Sequence, residues 1–170
     1  VAIGAVSVPI VAVEPASAQC ADIFVILDDY SFINWGWIKR NKLLSNGKPL
    51  YYGVSLKKAS QNKMINDISL AEQDFNKLQK TIYFLYHKAP YFSQGYQSTE
   101  SIFNYKEQNL AKFLHHSIQV IADYLEIKTE FVLSSEMEGN SLLKREHRIY
   151  DQCARLGADT YVNAIGGMEL

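Results

Sequence analysis

The chain has 170 residues, 48% apolar and 12% aromatic, which is enough for the core of one ordinary domain and gives no sign of a second. Lys and Arg total 17 against 18 for Asp and Glu, so no net field draws the protein to nucleic acid or to an anionic membrane surface. Two cysteines, Cys20 and Cys153, are too few for the disulfide framework of a small secreted module, and a reducing compartment, the cytoplasm, is expected.

Val1 to Val13 is rich in Val, Ile and Ala, and Ala16, Ser17 and Ala18 follow it like a signal cleavage site. Glu14 interrupts the pattern, no basic region precedes it, and the run is too short to span a bilayer, so secretion is the weaker expectation. Ile23 to Leu27 is a continuous apolar run ending in Asp28 and Asp29, as expected of a central strand buried on both faces. Leu43 and Leu44, then Asn46-Gly47, then Leu50 to Leu56 predict a β-hairpin, because Asn-Gly supplies the positive φ angles of a tight type I′ turn.

From Ser69 to His87 the spacing of Leu70, Phe75, Leu78, Ile82 and Leu85 predicts one helix or two short ones, ended by Pro90. Glu107 to Leu125 repeats the helical pattern with Leu110, Phe113, Leu114, Ile118, Ile121 and Leu125 on one face. Glu130 to Leu133 reads as a short strand. Ser141 to Leu156 reads as a helix opened by Asn140 or Ser141 and closed by Gly157, with Cys153 on its apolar side beside Leu142, Ile149 and Leu156. Thr160 to Asn163 returns as a strand. The alternation predicts an α/β fold, with a mostly parallel, doubly covered sheet in Rossmann-like layering and a β-hairpin insertion. Residues 1–170 are expected to form a single domain whose C-terminal part continues past the Gly166-Gly167 turn.

In an open α/β sheet, ligands bind beyond the carboxyl ends of the strands, which makes Asp28 and Asp29 the first candidates for catalysis. Adjacent residues of an extended chain point to opposite sides. One carboxylate would then face a crevice as general base, metal ligand or sugar-hydroxyl acceptor while the other caps a turn; both as turn residues is the competing reading. Trp37, Arg40 and Asn41, with Lys39, combine a flat apolar face, a guanidinium fork and an amide, the set that phosphate or sugar recognition uses.

Lys58 follows the hairpin as a further cation, though lysine pairs are usually a solvated edge. Ser134 and Ser135 lie just after a strand, where hydroxyls donate to phosphate oxygens or merely cap a turn. Gly166 and Gly167 would let backbone N–H groups approach an anion, a weak signal without a dinucleotide fingerprint. His115 and His116 diverge by about 100° on a helix, both off the apolar stripe, and no zinc motif appears. The expected partner is a small-molecule substrate such as a nucleotide sugar; a distributed metal site stays open, and the sequence does not identify a cofactor.

Four blocks carry a family resemblance: FVILDDYSFINWGWIKRN at Phe24 to Asn41, LLSNGKP at Leu43 to Pro49, LKKASQNKMIN at Leu56 to Asn66, and RLGADTYVNAIGGMEL at Arg155 to Leu170. In this order they resemble the WbqC-like protein family. The resemblance implies an α/β protein of surface-polysaccharide or O-antigen gene clusters, with acyl or aminoacyl transfer to a nucleotide-linked amino sugar as one role; a non-catalytic sugar- or nucleotide-binding scaffold is the alternative. Family members begin with a strand running into a Gln-Pro-x-Tyr-x-Pro-x-x-Gly-Tyr-Phe type segment. Here Val1, Ala2 and Ile3 match, Gly4 to Ala21 do not, and the spacing to Phe24 is kept. Divergence or a local reading-frame error accounts for that spacing better than an unrelated leader.

Overall fold

The computed structural model of the chain describes residues 2–6, 18–34, 36–144 and 146–162. In chain order the strands and α-helices are β1 (Ala2–Val6), β2 (Ile23–Ile26), β3 (Arg40–Ser45), β4 (Lys48–Gly53), β5 (Leu56–Lys57), β6 (Ser69–Leu70), α1 (Asn76–Tyr86), α2 (Phe92–Asn104), α3 (Leu110–Tyr124), β7 (Glu130–Leu133), α4 (Glu146–Arg155) and β8 (Thr160–Val162).

Four of the strands form a parallel sheet in the order β7-β2-β1-β8. The chain steps from β1 outward to β2 and β7, then returns through α4 to the far side of β1. The order therefore reverses between β1 and β8, the place where open α/β sheets open a crevice. Residues 7–17 and 163–170, which follow those two strands in the chain, lie outside the described residues, and with them Gly166, Gly167, Asn163 and most of the leader-like run.

Each face of the sheet meets its own apolar cluster. Phe24, Ile26 and Leu133 pack with Ile118 of α3, and Val25 packs with Val132, Cys153 of α4 and Leu156. Cys153 is thus the apolar packing residue expected, and burial pushes its thiol pKa up. Leu142 does not join it: Asn140–Leu142 is a short 3₁₀ turn rather than the start of α4, and Leu142 is exposed. The architecture is mixed α/β, with one described α-helix contributing to each cluster, which is less than full Rossmann-like double winding.

The largest core lies within the insertion between β2 and β7, not under the sheet. It gathers Phe32, Ile38, Val54, Ile68, Leu70, Ile102, Leu110 and Phe113. α3 serves both cores, because its apolar residues span a wide stripe; Asn109 starts it by accepting the Lys112 N–H at 3.1 Å. Full burial of Phe113 alone contributes about 1.5 to 3 kcal/mol.

The β3–β4 hairpin forms as its turn chemistry demands, with Asn46 at φ 49° and Gly47 at φ 75°. It stands apart from the parallel sheet, and the Tyr86 hydroxyl covers its outer edge by bonding the backbone N–H of Leu44 at 2.7 Å. The helix expected from Ser69 to His87 begins later than its apolar spacing suggests. Ser69 and Leu70 instead pair with Leu56 and Lys57, and the Asp74 carboxylate receives the Asn76 N–H at 2.9 Å where α1 starts. α2 has no counterpart in the sequence reading, although Phe92, Tyr96 and Phe103 recur at helical spacing.

Candidate functional site

The sheet delivers Asp28 and Asp29 to the carboxyl end of β2, beside the 3₁₀ turn Ser134–Glu136 that follows β7. The expectation that the two carboxylates point to opposite sides fails. At the strand end the Asp28 N–H reaches back to the Ile26 carbonyl at 3.0 Å, so the chain is no longer extended and both side chains turn toward Ser134. The Ser134 hydroxyl bridges them, 3.2 Å from Asp28 Oδ1 and in close contact with Asp29 Oδ1.

Asp28 is buried and is held further by Ser135, whose N–H donates to Oδ1 at 2.9 Å and whose hydroxyl donates to Oδ2 at 2.6 Å. Its backbone carbonyl receives the Asn66 N–H at 2.9 Å, joining the strand end to the insertion. Asp29 Oδ1 also accepts from the Arg148 guanidinium, forming an ion pair whose side chains are 6% and 9% exposed. Asp29 Oδ2 makes no hydrogen bond among the described residues.

Arg148 is fixed in turn. Its Nε donates to Asn140 Oδ1 at 2.7 Å and its guanidinium carbon lies 4.5 Å from the Tyr30 ring centre. The buried Asn140 amide is fully used: Oδ1 also accepts from Gln152 Nε2 at 2.9 Å, and Nδ2 donates to the Arg148 carbonyl and to Asp151 Oδ2. That amide, together with Arg155, holds the Asp151 carboxyl below its usual range. His115 is half-buried behind the cluster with Nε2 lacking a partner; burial lowers its pKa, outweighing the Phe131 backbone and the Glu136 and Asp28 charges. Both histidines lie closer to the interior than expected, His116 stacking on Tyr105 at 3.9 Å between ring centres.

Trp37, Arg40 and Asn41 fall elsewhere, on the hairpin and the turn leading into it. Alternation along β3 puts Arg40 and Lys42 on one face, and the register places Lys42 opposite Tyr51. Trp37 stacks on Tyr51 with ring centres 6.4 Å apart, and the Arg40 guanidinium sits 5.1 Å and the Lys42 ammonium 6.0 Å from the Trp37 ring. Asn41 occupies the opposite face of β3, where its side-chain oxygen accepts the Lys42 N–H at 2.8 Å. Lys58 is exposed in a left-handed turn after β5, at φ 48°, and joins neither group.

The structure thus splits the candidates into a strand-end carboxylate cluster with Ser134 and Ser135, and a hairpin face with Trp37 and Arg40. Sequence reasoning missed Arg148, Asn140 and Gln152. Their one signal was the spacing of four between Arg148 and Gln152, which puts two long polar side chains on the same inward face of a helix. Among the described residues no group of three or more His, Cys, Asp or Glu is placed to hold a metal ion, and no helix is long and apolar enough to cross a membrane.

Fold and site together define a mixed α/β protein that gathers polar side chains at the carboxyl ends of parallel strands. Residues 16–170 match the model of the WbqC-like protein family, and the chain belongs to that family. No curated protein and no solved structure matches the chain.

Proposed function

We propose that the protein binds a nucleotide-linked amino sugar in surface-polysaccharide, O-antigen-type, biosynthesis. The hairpin face carries this reading. Trp37 and Tyr51 are 47% and 58% exposed, large aromatic faces left in water beside two cations. A base or sugar ring stacks on such a surface while a diphosphate meets guanidinium and ammonium. The pathway follows from the resemblance to the WbqC-like family, and a cytoplasmic location accords with two free thiols.

Transfer of an acyl or aminoacyl group to the amino sugar is a second reading, favoured by Asp29. One of its oxygens is locked by Ser134 and Arg148 and the other makes no hydrogen bond among the described residues, an oriented carboxylate able to take a proton from an attacking amine. Asp28, with three bonds from Ser134 and Ser135, positions that loop rather than acting as base. Gly166 and Gly167, which lie outside the described residues, are proposed from the sequence as backbone N–H donors to the ligand. Calorimetric titration with nucleotide-linked amino sugars tests the first reading: saturable binding that Trp37→Ala weakens supports it, and no heat from any nucleotide sugar overturns it. Product detection by mass spectrometry with added acyl or glycyl donors separates transferase from binding protein.

A further inference from the structure

A cavity of about 490 Å³ opens in the insertion, where the start of α1 meets the end of α2. It is within the size range of small-molecule sites. Its lining mixes the aromatic edge of Phe75, packed on Phe103 at 4.7 Å between ring centres, with the side chains of Gln73, Asp74, Gln79 and Lys106. Two of these carry an unmet donor. Gln73 uses its oxygen to accept the Ser55 N–H at 2.9 Å, which fixes the amide and leaves Nε2 buried without an acceptor. Gln79 Nε2 is likewise buried without an acceptor.

Buried amide donors without partners are uncommon in folded proteins, and two that belong to residues lining one cavity can be satisfied by acceptor oxygens that enter it, once the side chains turn toward it. The soft terminal torsion of glutamine lets the Gln79 nitrogen turn to an incoming oxygen, while Gln73 needs only a small tilt that keeps its Ser55 bond. The cations Lys57 and Lys106 are offset by Glu72, Asp74 and Glu107 around the same walls, so the cavity does not select a strongly charged ligand. We infer that this cavity is a second ligand site that takes a neutral, hydroxyl-rich ring of monosaccharide size, its oxygens accepting from Gln73 and Gln79 and its apolar edge resting on Phe75. The site is independent of the hairpin face and needs no nucleotide.

The test is a titration of the isotope-labelled full chain with N-acetylglucosamine and with glucose, following the side-chain amide signals of Gln73 and Gln79 by NMR. Saturable shifts of both signals with either sugar are expected. Gln79→Leu removes one donor, and Gln73→Glu keeps the acceptor for Ser55 while removing the other; each is expected to weaken binding by about tenfold, a loss of about 1.4 kcal/mol. Absence of any saturable shift in the unmodified protein, meaning a cavity filled by water alone, overturns the inference. So does a response that survives unchanged in either variant. Because the probes carry no phosphate, failure here leaves nucleotide-sugar binding at Trp37 untouched.

Discussion

Arg148 and Asp29, 119 residues apart in the chain, meet as a buried ion pair at the carboxyl end of the parallel sheet. The pair ties α4 to the strand end through one carboxylate oxygen, while Asn140 holds the guanidinium from the other side. Removing one member leaves the other charged, buried and uncompensated. Arg148→Met is therefore expected to destabilise the fold by about 3 to 5 kcal/mol. The double variant Arg148→Met with Asp29→Leu should recover much of that loss. Urea unfolding reads both, and a double variant no more stable than the single one would show that the pair is not the cause.

Asp28 is held by hydrogen bonds rather than by a salt bridge. Asp28→Ala strands the Ser135 N–H and hydroxyl, while the Ser134 hydroxyl keeps Asp29, at an expected cost of about 1 to 3 kcal/mol, seen as a lower urea midpoint with an unchanged slope. Asp28→Asn, which retains one acceptor oxygen, should lose less. Equal stability in all three proteins would mean that the loop after β7 does not depend on this carboxylate.

Tyr52 supplies a pH dependence. Burial against the insertion core, reinforced by Tyr86, pushes its hydroxyl pKa up from 10.0 to about 12. The folded state holds the proton more tightly than the unfolded chain, so the stabilisation is complete below pH 10 and is lost as pH rises toward 12. At about 1.4 kcal/mol per unit, the loss across that window approaches 3 kcal/mol. Unfolding midpoints between pH 9 and about 11.5 should fall, and fall less in Tyr52→Phe. Parallel curves for the two proteins would locate the alkaline sensitivity elsewhere.

Local patterns in the sequence predicted the hairpin and α3, but not α2 or the true starts of α1 and α4. Asn46-Gly47 announces the hairpin because only a few residues tolerate its φ angles, and the apolar spacing of Leu110, Phe113, Leu114 and Ile118 announces α3. Asp28, Asp29, Ser134 and Ser135 were each legible as residues following a strand. Their convergence on one another was not, since it depends on β2 and β7 being neighbours across a long insertion. Arg148 was invisible for the same reason: a charged residue inside a helix reads as solvated until its partner is known. Trp37, Arg40 and Asn41 read as one cluster because they are close in sequence, yet β-strand alternation sends Asn41 to the opposite face from Arg40.

The geometry of the hairpin base sets the Trp37 face, and two glycines test this separately. Gly47 needs its positive φ but has open space around it, so Gly47→Ala should cost about 1 to 2 kcal/mol of backbone strain without disturbing anything else. Gly53 is different. A Cβ there would lie 2.5 Å from the Lys39 carbonyl oxygen, which accepts the Val54 N–H at 2.9 Å and anchors the turn carrying Trp37 and Arg40. Gly53→Ala must push that turn away, at about 1 to 3 kcal/mol for the overpacking. In the proposed function, Gly53→Ala should lower nucleotide-sugar affinity toward the level of Trp37→Ala, about 1 to 3 kcal/mol if one stacked base is lost, while Gly47→Ala keeps wild-type affinity. Calorimetry on the three variants settles it: equal affinity in all of them removes the hairpin face from the binding surface.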